Sequence, residues 1–354
     1  LMNQFVLYFV LNLIFNSIIC IKAHYIYFIV MRTMIGWTMG SIFSILPILI
    51  VQETVPKIRA KIMTLYSIFI NFGLLLGYLL NMLTIYIGFS AFWCLQFAVA
   101  LALSLTSLII LVITNKNSKR RSSQSEIELS PLDNNLLQQP QQQKYSKKQK
   151  TKLTAIATIL GTIQMTTGIN SVLVYASLIF ATTFNTENSG IIGSVLVGGV
   201  NFAAMLMSTP FIQKFNRKPL LGIGFCGCIF SNVVLAIVYG INIQNSSIRT
   251  GLVVAMIILF LLSYQIAPGP VVLMLVGEVF PEDIRTKYVG LGFGCNWFWN
   301  IVVVFTFKYF EKITWIIHSL YAGITLMLLC VLLIILPETK GKTSKELQII
   351  IKQW

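Results

Sequence analysis

The chain has 354 residues, of which 56% are apolar and only 10% are charged, whereas a typical soluble domain carries about 25% charged residues. Its mean hydropathy of +0.81 is far above what a soluble surface tolerates. These values exclude a soluble globular protein, a disordered chain and a nucleic-acid-binding domain. The net charge of +15 is compatible with this, because the basic residues lie in short segments between long apolar runs, which is typical of membrane topology.

Ten apolar runs are long enough to cross a bilayer as helices, which requires about 20 residues each. The sequence therefore predicts an all-α integral membrane protein. The fifth run is too long for one straight span, which predicts a helix broken near Gly168, because glycine permits local unwinding. The ten runs cover roughly 5–21, 26–52, 61–83, 89–113, 153–183, 190–212, 219–241, 251–277, 288–308 and 313–336.

Positive charge is distributed unequally between the two sides that the alternating spans define. Of the 26 Lys and Arg residues, 21 fall on the side that carries both ends of this chain, and 4 fall on the other side. Because cytoplasmic loops carry an excess of Lys and Arg, both ends are predicted to be cytoplasmic. We expect a multi-pass protein of the plasma membrane.

The segment 114–152 interrupts the apolar pattern with Lys, Arg, Ser and Gln clusters that cannot bury a core. This composition predicts a cytoplasmic linker between two membrane domains. The domains are an incomplete N-terminal bundle of four spans at 1–113 and a six-helix bundle at 153–336. A cytoplasmic tail is expected at 337–354.

A charged motif, Glu-x-x-Pro followed by Arg, occurs at the cytoplasmic end of the second span and again at the end of the eighth. The two copies begin at Glu53 and Glu278 and end at Arg59 and Arg285. Their offset of six spans predicts two halves of six spans each, so two further spans are expected to precede this chain. Each Glu–Arg pair is predicted to latch two helices in one conformation and release them in another, and the alternative is that the motif only ends a helix and places positive charge at the cytoplasmic face.

Several other motifs match a known family. They are Gln164, Gly168, Asn170 and Tyr175 in the fifth span, Pro268, Gly269 and Pro270 in the eighth, Asn296 and Trp297 in the ninth, Arg217 in the loop after the sixth, and Leu336–Thr343 in the tail. Together with the repeated motif, they resemble the sugar porter family of the major facilitator superfamily.

The resemblance implies a bundle of twelve membrane helices, of which about ten are present here. It implies a secondary transporter that moves a hexose-like sugar by alternating access. It also adds Arg217 to the predicted cytoplasmic latch of Glu53, Arg59, Glu278 and Arg285.

Four side-chain amides lie within spans of the second half, namely Gln164, Asn170, Asn201 and Asn296. Each amide has one acceptor and two donors, which suits sugar hydroxyls, and is costly in lipid unless it faces the bundle interior or a wet cavity. The resemblance implies that the sugar lies against these amides and Trp297, whose ring can stack on an apolar sugar face. Interhelical hydrogen bonding remains the alternative for each amide, and it is the role expected for Asn71, Asn81 and Gln96.

Two places in the second half are predicted to move. The outer part of the fifth span, between Gly168 and Tyr175, is predicted to be a gate. The eighth span, broken at Pro268, Gly269 and Pro270, is predicted to supply a hinge for alternating access.

The sequence gives little support for an enzyme. Its two histidines, His24 and His318, both lie at span edges, and no catalytic triad can be built from them. The six cysteines lie inside apolar runs without the spacing of metal ligands, so we predict neither a metal nor a cofactor. The expected partners are a small sugar and the lipid bilayer, not nucleic acid, and the oligomeric state is open.

Energy coupling and transport competence leave alternatives open. The spans present contain no acid away from the cytoplasmic boundary, which favours facilitated diffusion over proton symport. Met165 and Leu273 stand where the family has Gln and Trp. These replacements motivate two alternatives, a sugar-binding sensor or non-transporting protein built on a transporter scaffold, and an inactive fragment.

Overall fold

A computed structural model of the protein describes residues 2–19, 25–54, 56–83, 98–106, 145–184, 188–241, 245–281, 283–310, 313–340, 342 and 344–352. The chain divides into two compact units. One unit comprises Leu1–Leu49 and Leu83–Lys144, and the other comprises Ile50–Met82 and Tyr145–Trp354.

The described elements are helices, numbered here along the chain. They are α1 (Met2–Ile19), α2 (Tyr25–Glu53), α3 (Pro56–Met82), α4 (Lys147–Thr166), α5 (Ile169–Val174), α6 (Ala176–Phe184), α7 (Ser189–Lys214), α8 (Arg217–Gly240), α9 (Ser246–Ile266), α10 (Pro270–Glu278), α11 (Arg285–Tyr309), α12 (Thr314–Ile335) and α13 (Ser344–Lys352). A further helical stretch covers 98–106.

Nine segments among the described residues are long and apolar enough to cross a membrane. Two of them combine consecutive helices, at Lys147–Val174 and at Ser247–Val276. The predicted all-α membrane architecture is therefore confirmed. The fourth predicted run, 89–113, lies mostly outside the described residues.

The first unit is held partly by polar contacts between α1 and α2. Asn12 donates to the Thr38 hydroxyl at 2.9 Å, and Asn16 donates to the Asn12 side chain at 2.9 Å. The rings of Tyr8 and Trp37 meet edge to face at 5.9 Å. Buried polar groups in membrane helices are used in this way to join neighbours.

The second unit is a bundle in which α4 packs against α11 and α12, and α8 packs against α9 and α12. The helix α7 packs between α3, α6 and α9. The backbones of α4 and α11 lie very close together. A Cβ built on Gly161 would lie 2.0 Å from the Gly292 carbonyl oxygen. Small residues permit such contacts between membrane helices.

Two membrane segments are broken, as the sequence predicts. Gly168 ends the first part of the fifth span with φ of +84°, a left-handed conformation that glycine adopts readily. A Cβ at this position would also lie 2.4 Å from the Tyr321 ring. In the eighth span, α9 ends at Ile266 and α10 begins at Pro270, which lacks the N–H that would continue a helix.

We expect Gly161→Ala to lower the thermal midpoint of the purified protein, because the added methyl group collides with the backbone of α11. Overpacking of this kind costs about 1–3 kcal/mol. The matched control is Gly294→Ala on α11, whose Cβ would meet nothing within 4 Å. An equal midpoint for both variants in a thermal unfolding assay would contradict the close packing of α4 on α11.

Candidate functional site

The first amide cluster joins Gln164 of α4 to Asn296 of α11. The Asn296 Nδ2 donates to the Gln164 Oε1 at 2.8 Å. The Gln164 Nε2 donates to the carbonyl oxygens of Pro268 at 3.2 Å and Gly269 at 3.1 Å. Two of the predicted binding residues are thus brought together at the break between α9 and α10.

The position of Asn296 depends on the close approach of α4 and α11. Its Nδ2 also donates to the Gly161 carbonyl oxygen at 3.2 Å, and its side chain is 8% exposed. Since Gly161 has no side chain, its carbonyl is accessible to a neighbouring helix. The same glycine therefore sets the helix packing and positions the amide.

Three of the predicted binding residues lie apart from this cluster, namely Asn170, Trp297 and Asn201, which belongs to a second cluster. Asn170 of α5 donates to the Met165 sulfur at 3.1 Å, and among the described hydrogen bonds none joins Asn170 to the other predicted amides. Trp297 follows Asn296 on α11 and is 41% exposed. Adjacent residues of a helix point in different directions. Trp297 therefore does not share the buried environment of Asn296.

A second amide cluster joins α3, α7 and α9. The Asn201 Nδ2 donates to the Asn71 Oδ1 at 2.6 Å. The Gln265 Nε2 donates to the Asn71 Oδ1 at 2.9 Å and to the Asn201 Oδ1 at 2.7 Å. All three side chains are buried.

The second cluster contains two residues that sequence reasoning did not assign to the site. Asn71, for which sequence reasoning expects an interhelical hydrogen bond, makes that bond with Asn201, and Gln265 is not singled out by sequence reasoning. The signal that finds both is an uncharged polar side chain inside an apolar span, since such groups are placed toward a bundle interior. Gln265 also lies three residues before Pro268, so both clusters flank the same helix break.

The outer part of the fifth span is fastened to α11 and α12. The Tyr175 hydroxyl donates to the Val304 carbonyl at 3.1 Å, and the Tyr175 ring stacks on Phe307 with centroids 5.0 Å apart. The hydroxyls of Ser171 and Tyr321 are 2.8 Å apart. Hydrogen bonds and a ring stack therefore join the outer part of the fifth span to α11 and α12.

The predicted latch contains one described ion pair. The Arg217 Nε at the start of α8 lies 3.9 Å from the Glu278 Oε2 at the end of α10. The Arg217 Nη1 donates to the Ile212 carbonyl at 2.7 Å, and Arg285 donates its Nε to the Phe280 carbonyl at 3.1 Å. This ion pair of Glu278 joins the end of α10 to the start of α8. The side chains of Glu53 and Arg59 lie outside the described residues.

The tail acid Glu338 belongs to this charged end, and sequence reasoning gave it no role. Its two carboxylate oxygens accept from the backbone N–H groups of Arg217 at 3.1 Å and Lys218 at 3.2 Å. A carboxylate at a helix N-terminus satisfies donors that have no helical partner. The tail therefore caps α8, and the next residue, Thr339, donates to Glu278 at 3.4 Å.

The pKa of Glu338 is lowered below the usual range for glutamate. Burial by itself raises the pKa of this carboxyl, but the backbone N–H groups of Arg217, Lys340, Lys218 and Thr339 together lower it by more. Hydrogen bonds to the ionised form favour that form.

No group of three or more His, Cys, Asp or Glu side chains in the described part of the chain is arranged to hold a metal ion. What the amide clusters offer instead is a set of carboxamide donors and acceptors inside an apolar bundle. Such groups bind uncharged molecules that carry several hydroxyls, since each hydroxyl both donates and accepts.

Comparison with known proteins gives a family match over nearly the whole chain. A family model described as "Sugar (and other) transporter" matches residues 2–350. The D-xylose-proton symporter of Escherichia coli K12 is 25% identical over 353 residues, covering 91% of this chain and 71% of that protein. The glucose transport protein of a Synechocystis species is 28% identical over 196 residues, covering 53% of this chain and 42% of that protein.

The fold is also similar to that of solved structures. A structure of the proton:xylose symporter XylE of the major facilitator superfamily, bound to 6-bromo-6-deoxy-D-glucose, superposes with a TM-score of 0.79. It shares 19% sequence identity, and the match covers 99% of this chain and 83% of that one. At this identity the likeness establishes the fold.

We expect the protein to lose thermal stability in acid because of Glu338. A carboxyl whose pKa is lowered on folding stabilises the protein above its unfolded pKa, and this contribution disappears as the pH falls through the folded pKa. In Glu338→Gln, the fall in thermal midpoint between neutral and acidic pH should be smaller than in the unchanged protein, and the midpoint at neutral pH should drop by a few degrees.

The control is Glu126→Gln, which removes an acid from the linker predicted at 114–152. This variant should keep the acid sensitivity of the unchanged protein. If Glu338→Gln and Glu126→Gln show the same midpoints at every pH, Glu338 does not stabilise the end of α8.

Proposed function

Since the chain belongs to the family of sugar and other transporters, we propose that it carries a hexose-like sugar across the membrane by alternating access. It is a multi-pass membrane transporter and not an enzyme. The observation that carries the sugar proposal is the pair of amide clusters, Gln164–Asn296 and Asn71–Asn201–Gln265, on either side of one helix break.

The proposed binding step is an exchange of hydrogen bonds. In the structure described here, the amides satisfy one another and the carbonyls of Pro268 and Gly269. A sugar enters at little cost if its hydroxyls replace these bonds one for one, because a buried polar group left without a partner costs about 1–3 kcal/mol. The proposed site also includes Asn170 and Trp297, which a sugar contacts when the segment between Gly168 and Tyr175 changes position.

The proposed cycle uses the two broken spans. The segment beyond Gly168, held by Tyr175, closes over the sugar from outside, while the region at Pro268, Gly269 and Pro270 bends as a hinge. The charged end then opens when the contacts of Glu278 separate. As moving halves we propose 1–113 and 153–336 with the linker 114–152 between them, although α3 shares its contacts with the second unit in this conformation.

The proposed orientation places both ends of the chain and the linker 114–152 in the cytoplasm, and the proposed compartment is the plasma membrane. The distribution of Lys and Arg, 21 on one side against 4 on the other, supports the orientation. The charged cluster of Arg217, Glu278 and Glu338 lies on the same predicted side.

Facilitated diffusion is the proposed energy coupling, because the acids of the chain fall outside the apolar interior of its predicted spans and a proton relay generally uses a carboxylate within the membrane. The second candidate is proton symport, which is favoured by the similarity to a D-xylose-proton symporter.

We expect Gln164→Ala and Asn296→Ala each to reduce saturable D-glucose uptake into proteoliposomes at least tenfold at subsaturating sugar, because each loses hydrogen bonds to the substrate and leaves a buried partner unsatisfied. The control is Gln213→Ala, which removes an exposed amide at the end of α7 and should leave uptake unchanged.

The amount of folded protein in each preparation is measured in parallel, so that loss of uptake is not confused with loss of protein. Unchanged uptake kinetics in both variants would show that Gln164 and Asn296 do not bind the sugar. Binding of D-glucose without any saturable flux would overturn transport and support a sensor.

The coupling is tested with the same vesicles. For facilitated diffusion, collapse of an imposed proton gradient with a protonophore should leave the initial uptake rate of D-glucose unchanged, and sugar should not accumulate above its external concentration. Accumulation that depends on the gradient would establish symport instead.

A further inference from the structure

A cavity of about 270 Å³ lies within the second unit, behind the segment predicted to gate the site. Its wall includes Val172 of α5 and Ile179 of α6, together with residues of α8, α9, α11 and α12. None of the residues of the two amide clusters lines it. The cavity is therefore lined by residues other than those of the two amide clusters, and part of its wall is the predicted gate segment.

The wall of the cavity is apolar and aromatic, with one nitrogen heterocycle. Tyr239, Phe307 and His318 line it. The Tyr239 and His318 rings stack with centroids 5.7 Å apart and planes 6° apart, and Tyr321 meets the His318 ring edge on at 6.2 Å. The imidazole is thus held between two phenol rings, and it is only 4% exposed.

The hydrogen bonds around His318 fix which ring nitrogen carries the proton. The Asn232 Nδ2 donates to the carbonyls of Thr167 and Cys228, both at 3.1 Å, so both its hydrogens are used. The Asn232 Oδ1 must then accept at its 2.8 Å contact with the His318 Nδ1, which makes Nδ1 the donor. In the neutral ring the Nε2 is consequently an acceptor.

The Nε2 of His318 has no hydrogen-bond partner among the described residues. His318 lines the cavity, so a molecule there that presents a single donor can form a hydrogen bond to this nitrogen. The remaining wall consists mainly of ring faces and aliphatic groups, with Thr182 and Thr314 beside them, and its apolar part suits an apolar body.

The size and polarity of the cavity limit the kinds of ligand that it can bind. A cavity of about 150 Å³ lined by apolar side chains holds benzene, so 270 Å³ accommodates one ring with small substituents. A sugar would bring several hydroxyls to a wall with few partners for them, which is unfavourable. An ion would have no opposite charge from the cavity's lining residues.

We propose that this cavity binds a small neutral aromatic alcohol whose hydroxyl donates to the Nε2 of His318. The ring lies among Tyr239, Phe307 and the aliphatic side chains of α5 and α6. The site differs from the sugar site in position and chemistry, and the binding step does not depend on transport.

The test uses 4-fluorophenol as the probe and fluorobenzene as its matched analogue without the hydroxyl. Binding of each to the full chain in lipid nanodiscs is followed by ¹⁹F NMR, and partition into empty nanodiscs is subtracted. The expected result is saturable binding of 4-fluorophenol, with an affinity about tenfold above that of fluorobenzene, since a net hydrogen bond of about 1.4 kcal/mol corresponds to a factor of ten.

Two variants separate the hydrogen bond from the cavity. His318→Phe keeps a planar ring and removes the acceptor, so the preference for 4-fluorophenol should disappear. Thr182→Phe fills the cavity from an exposed position on its rim and should abolish binding of both probes. The control is Ser319→Ala on the exposed face of α12, which should bind as the unchanged protein does.

The proposal is overturned if the unchanged protein binds fluorobenzene as tightly as 4-fluorophenol, or if neither probe binds beyond partition into lipid. It is also overturned if 4-fluorophenol binding survives in His318→Phe with the same affinity. If His318→Phe fails to fold, the proposal is still tested by the preference of the unchanged protein for 4-fluorophenol over fluorobenzene and by the result for Thr182→Phe. None of these outcomes depends on sugar uptake.

Discussion

The structure depends on how backbone carbonyls are satisfied where membrane helices break. In lipid, every backbone polar group needs a partner within the protein. Gly168 changes the course of the fifth span, and the Ser171 N–H bonds to the Gly168 carbonyl, which leaves the Thr167 carbonyl to accept from Asn232. At the eighth span, Gln164 donates to the carbonyls of Pro268 and Gly269. Side-chain amides from neighbouring helices therefore stabilise both breaks.

This constraint links the scaffold to its proposed function. Gln164 holds the break in the eighth span and is also proposed to bind sugar, so substrate binding and hinge geometry share one side chain. At the charged end, Glu338 caps α8 while Thr339 reaches Glu278, so the tail, α8 and α10 share one network. At the helix break and at the charged end, a movement of one helix would change the hydrogen bonds of two other helices. Coupling between distant sites requires such linked contacts with two alternative arrangements.

Sequence reasoning was strongest where a local rule was enough. The length and apolarity of the spans, the break at Gly168 and the break at Pro268-Gly269-Pro270 follow from residues within one segment. It was weaker for contacts between segments. Gln164 and Asn296 were assigned to one site and do meet, whereas Asn201 lies in a separate cluster with Asn71 and Gln265. Glu338 and Asn232 were given no role, although each caps or satisfies the backbone of another helix.

The sequence by itself determined the membrane-spanning architecture, because transfer of about 20 apolar residues into lipid depends on their composition and length. It also indicated the breaks at Gly168 and at Pro268-Gly269-Pro270, because the absence of a Cβ in glycine and of an N–H in proline acts locally, although Pro47 and Pro210 lie inside continuous helices. The tertiary structure decided which amide meets which carbonyl, and that Glu278 pairs with Arg217. Those pairings depend on the rotation and depth of separate helices, which are set by close packing such as that of Gly161 on Gly292 and not by spacing along the chain.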